Sequence, residues 1–189
     1  MVARLGDRAI LLPRPTGISA RAIVTSARDW DGVVDVVVTR DEVAVYFDRE
    51  PHVGTFAASD DDAAESRLVE LRAHYDGPDL EDVARAIDTT TDDVVQLHLA
   101  PTYVVETIGF APGFAYLVGL DARLGAIPRR ASPRSRVPAG SLAIAGGYTA
   151  VYPFDSPGGW NLLGRVSEHM FTAEAGARLR LGDRVRFVR

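Results

Sequence analysis

Three segments marked by glycine and proline in the second half of the chain hold the residues best suited to chemistry. The first reads Gly109-Phe110-Ala111-Pro112-Gly113-Phe114-Ala115-Tyr116-Leu117. The second runs from Pro128-Arg129-Arg130 through Pro133-Arg134-Ser135-Arg136 to Pro138-Ala139-Gly140-Ser141. The third is Tyr152-Pro153-Phe154-Asp155-Ser156-Pro157-Gly158-Gly159-Trp160-Asn161. Glycine lets a backbone approach a ligand closely, and proline fixes the direction of its neighbours. Loops stiffened in this way lose little entropy when they hold a ligand. The first loop adds aromatic walls; the second adds guanidinium groups, whose planar fork suits carboxylate and phosphate oxygens. Together they describe an aromatic, cationic pocket for a small planar carboxylate or amide, expected where the loops converge at the mouth of a barrel.

Each residue also has a plainer role open to it. Arg123, Arg129, Arg130, Arg134 and Arg136 all fall between Asp121 and Asp155, with no acid between. Any one of them reads equally as a solvated surface group; five together point to a small anion. Phe110, Phe114 and Trp160 are either core fillers or ligand walls. His98, beside an apolar helix face, is either a satisfied buried histidine or a proton shuttle. Asp155 is the acid nearest these loops and is either a general base or an arginine partner. Ser141, in Ala139-Gly140-Ser141-Leu142-Ala143, lacks the second glycine two residues on that a nucleophile elbow needs. His52, His74 and His169 have no partners at metal-ligand spacing, so no metal site is expected.

Composition sets outer limits. The 189 residues are 47% hydrophobic and 25% charged, as in soluble globular proteins. There is no cysteine, which excludes disulfides and thiolate catalysis. All 21 basic residues are arginine, so neither a phosphate-loop lysine nor a Schiff-base lysine exists. A net charge of −5 argues against a nucleic-acid partner. No apolar run approaches the roughly 20 residues that span a bilayer. The four apolar residues from Ala9 to Leu12 are too few for a signal-peptide core. The expectation is a cytoplasmic protein without membrane partners.

The elements that must position these loops read as two domains, 1–76 and 77–189. In the first, Arg8 to Leu12 is a strand, and Ser19 caps a helix running to about Trp30. Val33 to Thr39 and Glu42 to Phe47 form a hairpin about Thr39-Arg40-Asp41. A helical piece near Asp60 to Glu65 and a strand from Arg67 to Tyr75 complete the order strand–helix–strand–strand–helix–strand, which predicts a ferredoxin-like α/β sandwich. Asp76-Gly77-Pro78 then breaks the chain. Two short helices follow, one capped by Asp79 and one opened by a Thr90–Asp93 capping box and carrying His98. Ten of the seventeen glycines and six of the eleven prolines lie between Gly109 and Gly164, among short strands. That texture predicts a closed β-barrel, giving an α+β protein.

At the same three loops the sequence resembles the KipI-like family, whose members include a subunit of bacterial 5-oxoprolinase and allophanate hydrolase subunit 1. The resemblance rests on His98 closing a helix, Gly109 to Leu117, Pro128 to Ser141, and Tyr152 to Trp160. It runs from about Tyr75 to the C-terminus. Tyr148 stands where the family usually has glutamine before Thr149, and the N-terminal unit is short for the family. The resemblance implies a cyclophilin-like barrel in a carboxyltransferase-type domain. It also implies pairing with a second cyclophilin-like subunit, and a third subunit that completes ATP-dependent opening of 5-oxoproline to glutamate. ATP would be the co-substrate of the complex. Carried over by position, the expected substrate-binding residues are Phe110, Arg129, Arg130, Arg134, Tyr152, Gly158, Gly159 and Trp160. His98 and Asp155 are the expected catalytic pair. The alternative within the same resemblance is a regulatory protein that binds and inhibits a histidine kinase. A prolyl isomerase would follow from fold analogy alone.

Overall fold

A computed structural model describes residues 3–57 and 66–189. These divide into two compact units that meet in sequence between Ser66 and Arg67.

The N-terminal unit contains β1 (Ala3–Arg4), β2 (Ala9–Pro13), α1 (Ala20–Arg28), β3 (Val33–Val38) and β4 (Glu42–Phe47). The strands form one antiparallel sheet in the order β1-β2-β4-β3. Val36, Val38, Val43, Val45 and Phe47 are buried, and alternate with exposed or half-buried neighbours in the period of two that a one-sided sheet requires. The hairpin turns at Thr39-Arg40-Asp41 as its sequence predicts, closed by the Thr39 N–H donating to the Glu42 carbonyl at 2.8 Å. Ser19 caps α1, its hydroxyl accepting from the Ala22 N–H at 3.0 Å. The helix then turns Ala22, Ile23 and Ala27 into the core. The expected helical piece at 60–65 lies outside the described residues.

The C-terminal unit contains β5 (Leu68–His74), α2 (Leu80–Ala86), α3 (Thr91–Leu99), β6 (Tyr103–Ile108), β7 (Ala115–Val118) and α4 (Ala122–Gly125). After these come β8 (Arg134–Val137), β9 (Ser141–Ala145), β10 (Tyr148–Val151), β11 (Ser156–Gly158), β12 (Asn161–Val166), β13 (Phe171–Thr172), β14 (Gly176–Ala177) and β15 (Arg184–Val188). Seven strands close into a barrel in the order β10-β7-β6-β15-β5-β12-β9. Each of the seven sends at least one side chain into a common core, among them Leu71, Tyr103, Leu117, Leu142, Val151, Val166 and Phe187. Small strands β8 and β11 pair outside the barrel, as do β13 and β14.

One expected element changes place. The strand foreseen at 67–75 does not complete a ferredoxin-like order in the first unit; it is barrel strand β5. It runs parallel to β15, from Arg184 opposite Leu68 to Val188 opposite Arg72. The pair is fixed at its open end by Arg67, whose guanidinium donates to the buried carboxylate of Asp183. The boundary therefore falls before Arg67 rather than at Asp76. The other side of β5 joins β12, where Gly164 passes so close to the His74 carbonyl that a side chain at that position would overlap it.

Helices α2 and α3 cover one end of the β9–β12 wall. Val83, Ala84 and Val94 pack with Leu124, Ile127, Ile144 and Leu163. The capping box at the start of α3 is present in both directions between Thr90 and Asp93. No helix among the described residues is long and apolar enough to cross a membrane.

Candidate functional site

Alternation along β7, β9 and β10 gives the barrel wall two chemically different faces. Ala115, Leu117, Leu142 and Val151 point to the interior core. Phe114, Ala143, Ala145, Ala150 and Tyr152 belong to a second cluster, with Val137, Trp160 and Leu162. Phe114 is its hub, with ring centroids 4.9 Å from Tyr116, 5.3 Å from Tyr152 and 5.7 Å from Trp160, all edge to face. Tyr116 extends the cluster to Tyr148 at 5.6 Å and touches Trp160 at 5.7 Å. The first and third sequence loops thus meet on the outer face of the wall, not inside the barrel.

The second loop is tied to the third by backbone and side-chain bonds. The Arg130 N–H donates to the Gly159 carbonyl at 2.7 Å, and Asn161 Nδ2 donates to the Pro128 carbonyl at 2.9 Å. Beyond them β8 pairs with β11, setting Arg134 opposite Gly158 and Val137 opposite Ser156. Gly158 lies against the Tyr152 hydroxyl with no room for a side chain, so its glycine is required by contact. All three loops therefore share one neighbourhood, as their composition suggested.

The arginines divide in a way the sequence did not disclose. Arg130 Nη1 and Arg134 Nη2 both donate to Asp79 Oδ1 at 2.7 Å. The Leu162 N–H donates to Asp79 Oδ2, also at 2.7 Å. Asp79 is 2% exposed and stands at the N-cap position of α2, but makes no side-chain capping bond there. Its carboxylate instead holds the arginine loop to β12 and α2. Arg136 forks onto Asp155, which also accepts the Ala139 N–H at 2.8 Å. Arg123 pairs with Asp121 on the surface. Arg129 has no ion-pair partner among the described residues, and is exposed. Its positive charge acts on the Tyr116 and Tyr152 phenols, partly offsetting the upward push that burial gives both. Both tyrosines stay protonated at neutral pH and present O–H donors. The Arg130 Nε and Arg134 Nη1 atoms and the Ser156 hydroxyl are buried without a hydrogen-bond partner.

The two residues expected to move protons sit in different settings. His98 is fully buried between α3 and the barrel interior, its ring 5.3 Å from Tyr103 and 4.8 Å from Phe187. Its Nδ1 lies 2.8 Å from the Tyr75 hydroxyl and its Nε2 lies 2.9 Å from the Thr149 hydroxyl. Thr149 donates its own proton to the Ala143 carbonyl, so it accepts from Nε2–H; Nδ1 is then the acceptor for Tyr75. Burial drives the His98 pKa down to about 3, which keeps the ring neutral. Thr149 faces His98 while its neighbours Tyr148 and Ala150 face the aromatic cluster, so the strand separates His98 from the loops. Asp155 lies with the loops, but the Ala139 N–H and the Arg136 guanidinium hold its carboxyl below the usual range. It is an arginine partner.

Phe110 stands apart from its buried neighbours. It is 64% exposed, with φ of 69°, and an Ala111 N–H bond of 2.8 Å to the Gly109 carbonyl closes a tight turn around it. A non-glycine residue at positive φ costs free energy and concentrates at functional sites. Tyr152 and Trp160 are buried and serve as walls of the cluster. Sequence reasoning missed Asp79, Tyr116 and Tyr148 as members of this site. The acid-free arginine segment was the available signal, because so much positive charge folded against a barrel calls for a counter-charge from elsewhere. Among the described residues, no group of three His, Cys, Asp or Glu side chains gathers to hold a metal.

The family model for the carboxyltransferase domain, subdomain C and D, matches residues 2–179. The chain is 44% identical over 128 residues to a 5-oxoprolinase subunit of Bacillus subtilis, covering 65% of this chain and 53% of that protein. It is 46% identical over 129 residues to the like-named 5-oxoprolinase subunit of Escherichia coli O157:H7, covering 66% and 59%. The chain thus spans between half and three-fifths of the length of these curated relatives. Among solved structures, TTHA0988 matches all of this chain and 40% of its own, with a TM-score of 0.77 and 32% identity. The urea amidolyase of Kluyveromyces lactis shares the fold, with a TM-score of 0.71 at 17% identity over 99% of this chain and 14% of that one. With nearly its whole length matched, the chain belongs to the carboxyltransferase domain, subdomain C and D, family.

Proposed function

We propose that this protein is a subunit of an ATP-dependent amide hydrolase that opens 5-oxoproline to glutamate or cleaves a related small amide such as allophanate. The observation that carries the reading is the 43–46% identity to three proteins named as the same subunit of 5-oxoprolinase. The outer-face site supports it chemically. A compact amide with a carboxylate needs a cation, phenolic donors and flat apolar walls, and the loops bring these to one surface. In this reading Arg129 meets the carboxylate, while Phe110, Tyr152, Gly158, Gly159 and Trp160 wall the site. Arg130 and Arg134 shape it through Asp79.

His98 is buried with both ring nitrogens bonded and Asp155 is paired with Arg136, so the reading assigns proton transfer to groups brought by partners. Those partners are a second cyclophilin-like subunit and the third subunit of a 5-oxoprolinase complex. ATP is the co-substrate of the assembly, and the reading assigns it no residue of this chain. Dependence on ATP supports a cytoplasmic assembly.

Reconstitution with both partner subunits tests the proposal through ADP release and glutamate formation. Both should require 5-oxoproline together with this chain. A complex that forms but shows no turnover with 5-oxoproline or allophanate would reject the enzyme. Stable capture of a histidine-kinase dimerisation domain instead would favour the regulatory alternative.

A further inference from the structure

We propose that Arg129, the arginine of this cluster without an ion-pair partner among the described residues, anchors the carboxylate of the ligand, and that Tyr148, set edge-on to Tyr116, forms the wall that limits ligand size. The inference rests on the reading above and adds a division of labour to it. Pro128 and Arg130 are pinned to Asn161 and Gly159, so the backbone of Arg129 is held opposite Trp160. The Trp160 ring contacts Tyr116, and Tyr116 contacts Tyr148. The Arg129 backbone thus lies at one end of a row of three aromatic rings and Tyr148 at the other.

The neighbouring cations are already committed. Arg130 and Arg134 share the buried Asp79, Arg136 is forked onto Asp155, and Arg123 is paired with Asp121. Pulling Arg130 or Arg134 off Asp79 would break a charge-assisted bond to a carboxylate only 2% exposed, although Arg130 Nε and Arg134 Nη1 stay buried and unpartnered. Arg129 breaks none. Its charge acts on the half-buried Tyr116, whose phenol can share the oxygens of the same anion. The ligand class that follows is a small monocarboxylate whose remaining atoms form a flat, uncharged amide. The carboxylate takes the guanidinium end, and the ring lies along the aromatic row toward Tyr148.

The test is steady-state kinetics of the reconstituted complex. Arg129→Gln should raise KM for 5-oxoproline about 10- to 100-fold while kcat changes little, the signature of lost substrate binding. Arg129→Lys should recover part of that loss, and Arg123→Gln should leave both constants unchanged. Tyr148→Ala should raise kcat/KM for the six-membered lactam acid relative to 5-oxoproline about 10-fold. An unchanged KM in Arg129→Gln, or the same rise in Arg123→Gln, overturns the anchor. An unchanged substrate ratio in Tyr148→Ala overturns the wall. Turnover by the wild-type complex decides the underlying reading separately, and its absence removes this inference as well.

Discussion

Asp79 and Arg134 meet at 2.7 Å across 55 positions of sequence, and the same carboxylate oxygen takes Arg130. A carboxylate buried to this degree depends on both partners, and they on it. Asp79→Ala would leave two half-buried guanidinium groups facing each other without a counter-charge. The expected loss is about 3–5 kcal/mol in denaturant-unfolding free energy. The triple replacement Asp79→Leu, Arg130→Met and Arg134→Met should recover most of it, since an apolar trio removes the unpaired charge. A single variant as stable as the wild type would contradict the clamp.

His98 makes stability depend on acid. Its folded pKa lies near 3, against an ordinary value of 6.5. Below 6.5 the unfolded chain takes up a proton that the folded chain refuses. The contribution of the neutral ring is therefore complete above pH 6.5 and falls away toward pH 3. The slope is at most about 1.4 kcal/mol per pH unit. Stability measured from pH 7 to pH 4 should fall less steeply in His98→Gln. The wild-type imidazole should also remain neutral by nitrogen chemical shift at pH 5. A protonated His98 at that pH would contradict its placement.

Asp155 is engaged as an acceptor, so it should not act as a base. Asp155→Asn should keep kcat of the complex within about threefold, whereas removing a general base costs about 100-fold or more. Acid should weaken its bonds to Ala139 and Arg136. Because the folded pKa is depressed, their contribution is present above the ordinary carboxylate value and is lost as pH falls through the lowered one. A kcat reduced 100-fold in Asp155→Asn would restore the catalytic role.

Phe110 holds positive φ while 64% exposed, its ring meeting Phe114 edge to face at 5.2 Å. Phe110→Gly should relieve the turn and leave thermal stability equal or higher, yet lower turnover of the complex. Phe110→Val should lose roughly 1–3 kcal/mol, because a β-branched residue tolerates that backbone poorly. If both variants unfold alike, the turn is not strained by its side chain.

Local features of this fold are legible in its sequence. Ser19 caps α1, the Thr90–Asp93 box opens α3, and Thr39-Arg40-Asp41 turns the first hairpin, each through contacts made within a few residues. The three loops were also legible as a group, because glycine, proline, aromatic and arginine choices within them agree. What failed depended on distant partners. β5 looks like the next strand of the first unit until β15, more than a hundred residues later, claims it in parallel. Asp79 reads as an ordinary helix cap, since its arginines arrive from the far side of the barrel wall. His98 reads in sequence as either a buried histidine or a proton shuttle, because nothing near it announces Tyr75 and Thr149 as partners. Alternation assigns residues to opposite faces, but which face holds the ligand is settled only by closing the barrel.

The position of the small acid decides whether the outer face is the site. A crystal structure of the assembled complex with 5-oxoproline measures this directly. The carboxylate is expected within about 3 Å of the Arg129 guanidinium. The ring should lie along Trp160 and Tyr116 on the outer face of the β9–β10 wall. Density for the ligand inside the barrel beside His98, or on a partner subunit with Arg129 turned to solvent, would contradict it.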